Sequence, residues 1–291
     1  MSSAAAPRPP AGGSAPNPRD ARNEPRVAAE FTVALHSQDF SGPLAASARD
    51  LSTDGMCVVT RSPIGLASVR RATLQLASGP LEVTTEGRWQ APSANEGLVA
   101  SGFCFPRLEA SAKARLYAEV RARAEEVARF LHFESELAEL CSDDAIALAG
   151  HSRLRIVTAR GAVYRQDTTS PGDDAIFALL DGRVSLRHRL GPASEVSAPE
   201  LRRGAVFGGL PTLLDLPHAE TAATLVETRL LEISRGSLAY LRLGNPLLAE
   251  RLARIVLRSC FLRLRHFAEL AALRGEARDR EAEGDSGEPR A

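Results

Sequence analysis

The sequence predicts a mainly β protein with helices, arranged as two domains, and three observations carry that expectation. The chain has 291 residues, a length that suits two domains of roughly 100–150 residues better than one. Between Val27 and Phe105 short runs of strand character are separated by turn residues, the pattern of a small antiparallel barrel. From Leu108 the apolar period lengthens to three or four residues, and strand-like runs return only after Ser152.

Taken in order, residues 1–18 are mostly Ala, Pro, Gly and Ser. They hold too few large apolar groups to offset the entropy of ordering, so a disordered tail is expected. Phe31, Val33 and Leu35 then alternate with Thr32 and Ala34, as in a half-buried strand. Asp39 to Pro43 breaks that run, and further strands are expected near Gly55–Thr60, Val69–Leu76, Leu81–Trp89 and Leu98–Phe105. Leu108, Ala112, Leu116, Val120, Ala124, Val127 and Leu131 form the stripe of an amphipathic helix. With Arg115, Arg121, Glu125 and Glu126 on its other face, it should join the domains semi-rigidly. The domains are expected at 19–130, with that helix included, and at 131–273. In the second, two short helical segments lead into strands near Arg153–Val157, Ala175–Leu180 and Arg183–Arg187, with Asp181-Gly182 as a tight hairpin turn. Strands near Ala222–Leu225 and Arg229–Ile233 follow, then a helix from about Asn245 to Leu273, where Pro246 suits the first turn. Residues 274–291 are again polar and expected to be disordered.

Composition excludes several function classes. Thirty-six basic residues balance thirty-six acidic ones, so no global field draws nucleic acid or a membrane surface. Cys57, Cys104, Cys141 and Cys260 are widely spaced, without the clustering that zinc or a disulfide framework needs. No metal site is expected. No apolar run approaches the roughly 20 residues of a membrane span, and the N-terminus lacks a signal-peptide core, so a cytoplasmic location is expected. Neither a Gly-rich phosphate loop nor a nucleophile elbow is present, so no catalytic residue and no cofactor is expected.

The most informative constellation is in the first domain. Arg22 and Arg26 stand four apart before the first strand, and Asp50-Leu51-Ser52-Thr53-Asp54-Gly55 follows it. The arginine spacing alone carries little, since it recurs at Arg183/Arg187 and Arg254/Arg258. Its combination with Asp-x-Ser-x-x-Gly, in this order on strands, carries more. Guanidinium forks suit the O6 and N7 acceptors of guanine and bind phosphate through charge-assisted bonds. A carboxylate accepts from guanine N–H groups, and Gly55 permits close backbone approach.

These residues, with the closing run Gly97–Phe105, resemble the signature of the PilZ family over about residues 19–130. The resemblance implies a six-stranded antiparallel β-barrel that binds the bacterial second messenger cyclic di-GMP. It assigns the paired arginines to Arg22 and Arg26, and the opposing wall to Asp50, Ser52 and Gly55. The arginine segment precedes the barrel, so ligand could order it.

Residues from about Phe130 to Leu273 resemble the cyclic nucleotide-binding domain of Crp-type regulators, through Ala178–Val184, Gly204–Gly209 and Pro217–Ala222. That resemblance implies a β-roll (jelly-roll) with flanking α-helices. This copy departs from the family where the ligand would sit. Gly209 replaces the glutamate that holds the ribose, no arginine falls near His218, and Glu220 would repel a phosphate. Gly208, Gly209, His218 and Thr221 mark the degenerate pocket, with His218 expected as a hydrogen-bonded surface residue. Leu252, Ile255, Val256, Leu264, Phe267 and Leu270 leave the last helix with apolar surface for its own roll or for a homodimer.

The function expected is a non-catalytic cyclic di-GMP effector, its second domain serving relay or dimerisation toward an unknown protein partner. The alternative is a cAMP or cGMP sensor with the barrel as output. DNA binding is not expected, since only 18 polar residues follow Leu273.

Overall fold

The computed structural model describes residues 26–93, 97–169, 172–191 and 194–285. The first domain is one curled antiparallel sheet of β1 (Val27–Ala28), β2 (Thr32–Ser37), β3 (Leu44–Leu51), β4 (Gly55–Thr60), β5 (Val69–Leu76), β6 (Gly79–Thr84), β7 (Glu86–Pro92) and β8 (Val99–Cys104). Its order is β6-β5-β2-β3-β4-β8-β7, with the short β1 added beside β3. The run expected as a single strand at Leu81–Trp89 bends at buried Thr85, whose N–H donates to the Arg70 carbonyl at 2.9 Å. Its first half pairs with β5 and its second with β8. Both ends of the strand order therefore belong to one run, which brings the edges of the sheet together and makes six long strands of seven segments.

β3 was not among the expected strands. Its sequence, LAASARDL, is rich in small residues of low strand propensity, and pairing with β2 and β4 on either side holds it extended. Val33, Leu35, Ala48, Met56, Val58, Leu74 and Phe103 fill the interior of the barrel.

Helix α1 (Ala110–Phe133) covers the barrel and continues into the second domain. Leu116 packs in the barrel core, Ala124, Ala128 and Leu131 pack in the next core, and Val120 touches both. Not every charge on α1 faces solvent. Arg115 donates to the carbonyls of Ser78, Gly79 and Pro80, and buried Glu119 accepts from the Ala77 N–H at 3.3 Å. Both side chains clamp the β5–β6 turn.

The second domain contains α2 (Ser142–Ala149), β9 (Arg153–Val157), β10 (Ala162–Tyr164), β11 (Ala175–Asp181), β12 (Val184–Gly191), β13 (Ser194–Ser197), β14 (Val206–Gly208), α3 (Leu210–Leu214), β15 (Thr221–Thr224), β16 (Thr228–Ser234), α4 (Arg235–Gly244) and α5 (Pro246–Asp285). Two four-stranded antiparallel sheets, β10-β15-β12-β13 and β14-β11-β16-β9, face each other around Tyr164, Phe177, Phe207 and Leu230. This is the expected β-roll. A second core lies between the outer face of the β9-containing sheet and the helices α1, α2, α4 and α5.

Three expectations are corrected here. Asp181-Gly182 is not a tight hairpin: β11 and β12 belong to different sheets, and the turn carries the chain from one to the other. Gly182 has φ +98°, and a Cβ there would lie 2.5 Å from the Thr228 hydroxyl, so this position suits glycine although no hairpin forms. Only one short helix, α2, lies between α1 and β9 among the described residues, after a turn near Ser135, where two were expected. Finally, α5 extends to Asp285 rather than stopping at Leu273. A scarcity of apolar residues removes packing but not helix propensity, and an existing helix extends through an Ala-, Glu- and Arg-rich run without new nucleation.

The apolar residues of α5 are largely used within the chain. Leu252, Ile255, Val256 and Phe267 are buried, Leu264 and Leu270 half-buried, while Phe261 and Leu262 face outward. Among the described residues no helix is long and apolar enough to cross a membrane, and no group of three His, Cys, Asp or Glu side chains could hold a metal ion.

Candidate functional site

The bend between β3 and β4 is built by its own side chains. Ser52 donates its hydroxyl to the Gly55 carbonyl at 3.1 Å and accepts from the Asp54 N–H at 3.3 Å. The Ser52 N–H also reaches the Gly55 carbonyl, at 2.8 Å. The serine is thus a turn former.

A register shift between Ala48 and Asp50 precedes the bend. Its effect is to re-aim one side chain, as bulges do. Ala48 and Val58 point into the barrel, whereas Asp50 pairs with Cys57, which lies with Val59, Ala100 and Trp89 in a separate cluster on the outer face. Asp50 is nevertheless only 1% exposed. Arg26 explains part of that burial: its Nη1 donates to Asp50 Oδ1 at 2.7 Å.

Gly55 closes the group. A Cβ there would stand 2.3 Å from the Phe103 carbonyl oxygen and 3.1 Å from Arg26 Nη2. Only a residue without a side chain lets β4, β8 and the guanidinium meet this closely. Four of the five residues read from the sequence, Arg26, Asp50, Ser52 and Gly55, therefore converge. Arg22 lies outside the described residues.

Two neighbours were not anticipated. Across the outer face the ladder runs Asp50, Cys57, Gly102, Trp89. A Cβ on Gly102 would fall 2.2 Å from Trp89 Nε1, so the indole lies over that glycine. It offers an aromatic face two ladder steps from Asp50. On the parallel row Gly55, Cys104, Glu86, the bulged Arg88 donates from Nε to Cys104 Sγ at 2.9 Å and pairs with Glu86 at 3.2 Å. The available signal for Trp89 was that it is the single tryptophan; its position opposite a glycine appears only with the register.

The residues marked in the second domain do not converge in the same way. Gly208 and Gly209 both have positive φ, and a Cβ on Gly209 would meet Val256 of α5 at 2.9 Å. The packing of α5 leaves no room for a longer residue there. His218 is not a surface residue: it is 2% exposed and stacked on Tyr164 at 3.8 Å with 8° between the rings. Its Nε2 lies 3.2 Å from the Asp173 carbonyl. Burial pushes the His218 imidazole down to about 4, so the ring is neutral. Glu220 accepts from buried Tyr164 at 2.9 Å, and Thr221 accepts from the Gln166 N–H at 3.0 Å. Burial, with the Glu220 field next, holds the Tyr164 phenol well above its usual range.

Residues 20–122 match the family model of the PilZ domain. No curated protein matches the sequence. Among solved structures, a cyclic nucleotide-binding domain from Methylobacillus flagellatus is 14% identical with TM-score 0.42, covering 50% of this chain and 80% of that one. The catabolite activator protein of Thermus thermophilus is 23% identical with TM-score 0.39, over 48% of this chain and 62% of that one. The regulatory domain of Toxoplasma gondii PKA, solved with cAMP, is 14% identical with TM-score 0.41, over 79% and 76%. Residues 20–122 thus match the PilZ domain, and a β-roll domain follows them.

Proposed function

We propose that this chain is a non-catalytic second-messenger effector, which binds cyclic di-GMP on the outer face of its PilZ domain and relays occupancy through the second domain. The single observation that carries the reading is the 2.7 Å contact between Arg26 and Asp50, made over the Gly55 backbone. A guanidinium fork, a carboxylate acceptor and a side-chain-free backbone are the groups a guanine-bearing dianion requires. In this reading Asp50 accepts from a guanine N–H edge, Arg26 turns toward guanine O6/N7 or a phosphate, and Arg22 joins it. Trp89 presents a stacking face to a base.

Relay, rather than a second sensor, is favoured for the β-roll by the internal use of His218, Glu220 and Thr221. The test is calorimetric titration of the full chain with cyclic di-GMP, cAMP and cGMP. Cyclic di-GMP should bind at one site, and Arg26→Ala or Arg22→Ala should abolish binding. No heat with cyclic di-GMP, or equal binding by both variants, would end the reading.

A further inference from the structure

The segment that carries Arg26 also forms the seam between the domains. The Arg26 N–H donates to the Gly150 carbonyl, at the end of α2, at 2.7 Å. Val27 and Ala28, paired with Leu51 and Asp50, are buried in the core that contains Leu154, Ile176, Leu231 and α5. Glu30 pairs with Arg49 of the barrel at 3.6 Å and with Arg229 of β16. β9 packs against both β1 and β3.

β9 begins with Arg153, directly beside this seam. Its Nη2 donates to Glu232 of β16, a carboxylate only 4% exposed. Burial works to lower the Arg153 pKa, but the fields of Glu232, Asp50 and Cys57 outweigh it, so the group ends above the ordinary arginine range. Asp50 and Cys57 face outward from the barrel, and the element packed against β3 is β9 of the second domain, with Arg153 at its start.

The Arg26 N–H on the Gly150 carbonyl and the packing of β9 against β3 set groups of the second domain beside the strand that holds Asp50, and Arg153 is the cation among them. We propose that the second domain forms one wall of the cyclic di-GMP site, with Arg153, steadied by Glu232, as a third arginine that binds a ligand phosphate. The proposal rests on the reading of this face as the cyclic di-GMP site. A guanidinium has five N–H donors in a fork, so it can hold Glu232 and a phosphate oxygen together. The Gly150 carbonyl, by fixing the backbone of Arg26, is the positioning partner in the same wall. Occupancy is then read at the seam, because the ligand touches both domains.

The test is titration of the full chain with cyclic di-GMP at two salt concentrations. Arg153→Ala would leave Glu232 buried without this partner and could unfold the domain. The diagnostic variant is therefore R153M/E232M, which removes the pair at no change in net charge. R229M/E30M removes the pair at the other end of the seam and serves as control, and R153K retains the charge. The expected result is at least tenfold weaker binding and a shallower salt dependence for R153M/E232M. R229M/E30M should stay within about twofold of wild type, and R153K should stand between R153M/E232M and wild type. Wild-type affinity and salt dependence in a folded R153M/E232M would overturn the proposal, as would equal losses in both double variants. If wild type itself fails to bind cyclic di-GMP, the underlying assignment of the face fails instead.

Discussion

Gly55→Ala isolates the geometry on which the proposed cyclic di-GMP site depends. The added methyl would sit 2.3 Å from the Phe103 carbonyl oxygen, whereas ordinary contact begins near 3.4 Å. β4 and β8 must therefore separate by about 1 Å where Gly55 pairs with Cys104. Overpacking of this kind costs about 1–3 kcal/mol, and a lost ladder hydrogen bond adds about 1. A total of about 2–4 kcal/mol corresponds to a fall of roughly 8–16 °C in the melting temperature of a domain this size. The same methyl would stand 3.1 Å from Arg26 Nη2, so cyclic di-GMP affinity should fall together with stability. Gly42→Ala is the control, since a Cβ there meets nothing within 4 Å. Thermal melts of both variants, with titration at a temperature where both remain folded, make the comparison. A Gly55→Ala protein that melts within 1–2 °C of wild type (about 0.5 kcal/mol) and binds normally would refute the close approach and the site built upon it.

Other consequences can be measured as directly. Ser52→Ala removes the hydroxyl bonds to the Gly55 carbonyl and Asp54 N–H and should cost about 1 kcal/mol in denaturant melts, with weaker ligand binding. Tyr164→Phe takes the donor from buried Glu220 and should destabilise the β-roll by about 1–3 kcal/mol, without changing cyclic di-GMP affinity. The folded-state pKa of His218, about 4, lies below the unfolded value of 6.5, so unfolding takes up a proton between these limits. Stability is therefore full above pH 6.5 and declines as pH falls toward 4, by up to about 3 kcal/mol; melts of His218→Phe should show a flatter profile, and an unchanged one would refute this. Burial of His151 lowers its pKa too and adds to the decline in the same direction. Thiol titration of the native protein should modify exposed Cys141 first, with Cys57 and Cys260 protected until unfolding. Burial also raises the Cys260 pKa, which slows its thiolate further.

What could be read from the sequence and what could not follow from the range of each interaction. Asp50-x-Ser52-x-x-Gly55 was legible because a turn of this kind is closed locally, by the Ser52 hydroxyl on atoms two and three residues away. The helical stripe of α1 was legible for the same reason, since its period records which face is buried. β3 escaped because Ala and Ser carry no strand signal, and only neighbours on both sides hold them extended. The Asp181-Gly182 turn was read wrongly as a hairpin, because a dipeptide specifies its own dihedral angles but not the sheet its next strand joins.

By itself, then, the sequence determined the mainly β class with helices and the local turn chemistry of the acidic, glycine-ended bend at Asp50–Gly55. Tertiary structure alone decided that Arg26 rests on Asp50, that Trp89 lies over Gly102 on the same face, and that β9, which begins with Arg153, packs against β3. The physical reason is separation along the chain: the strands that hold Asp50 and Arg153 are brought together by β1 and β9 packing in a shared core. No local pattern of residues records a contact that hydrophobic burial makes across a hundred positions.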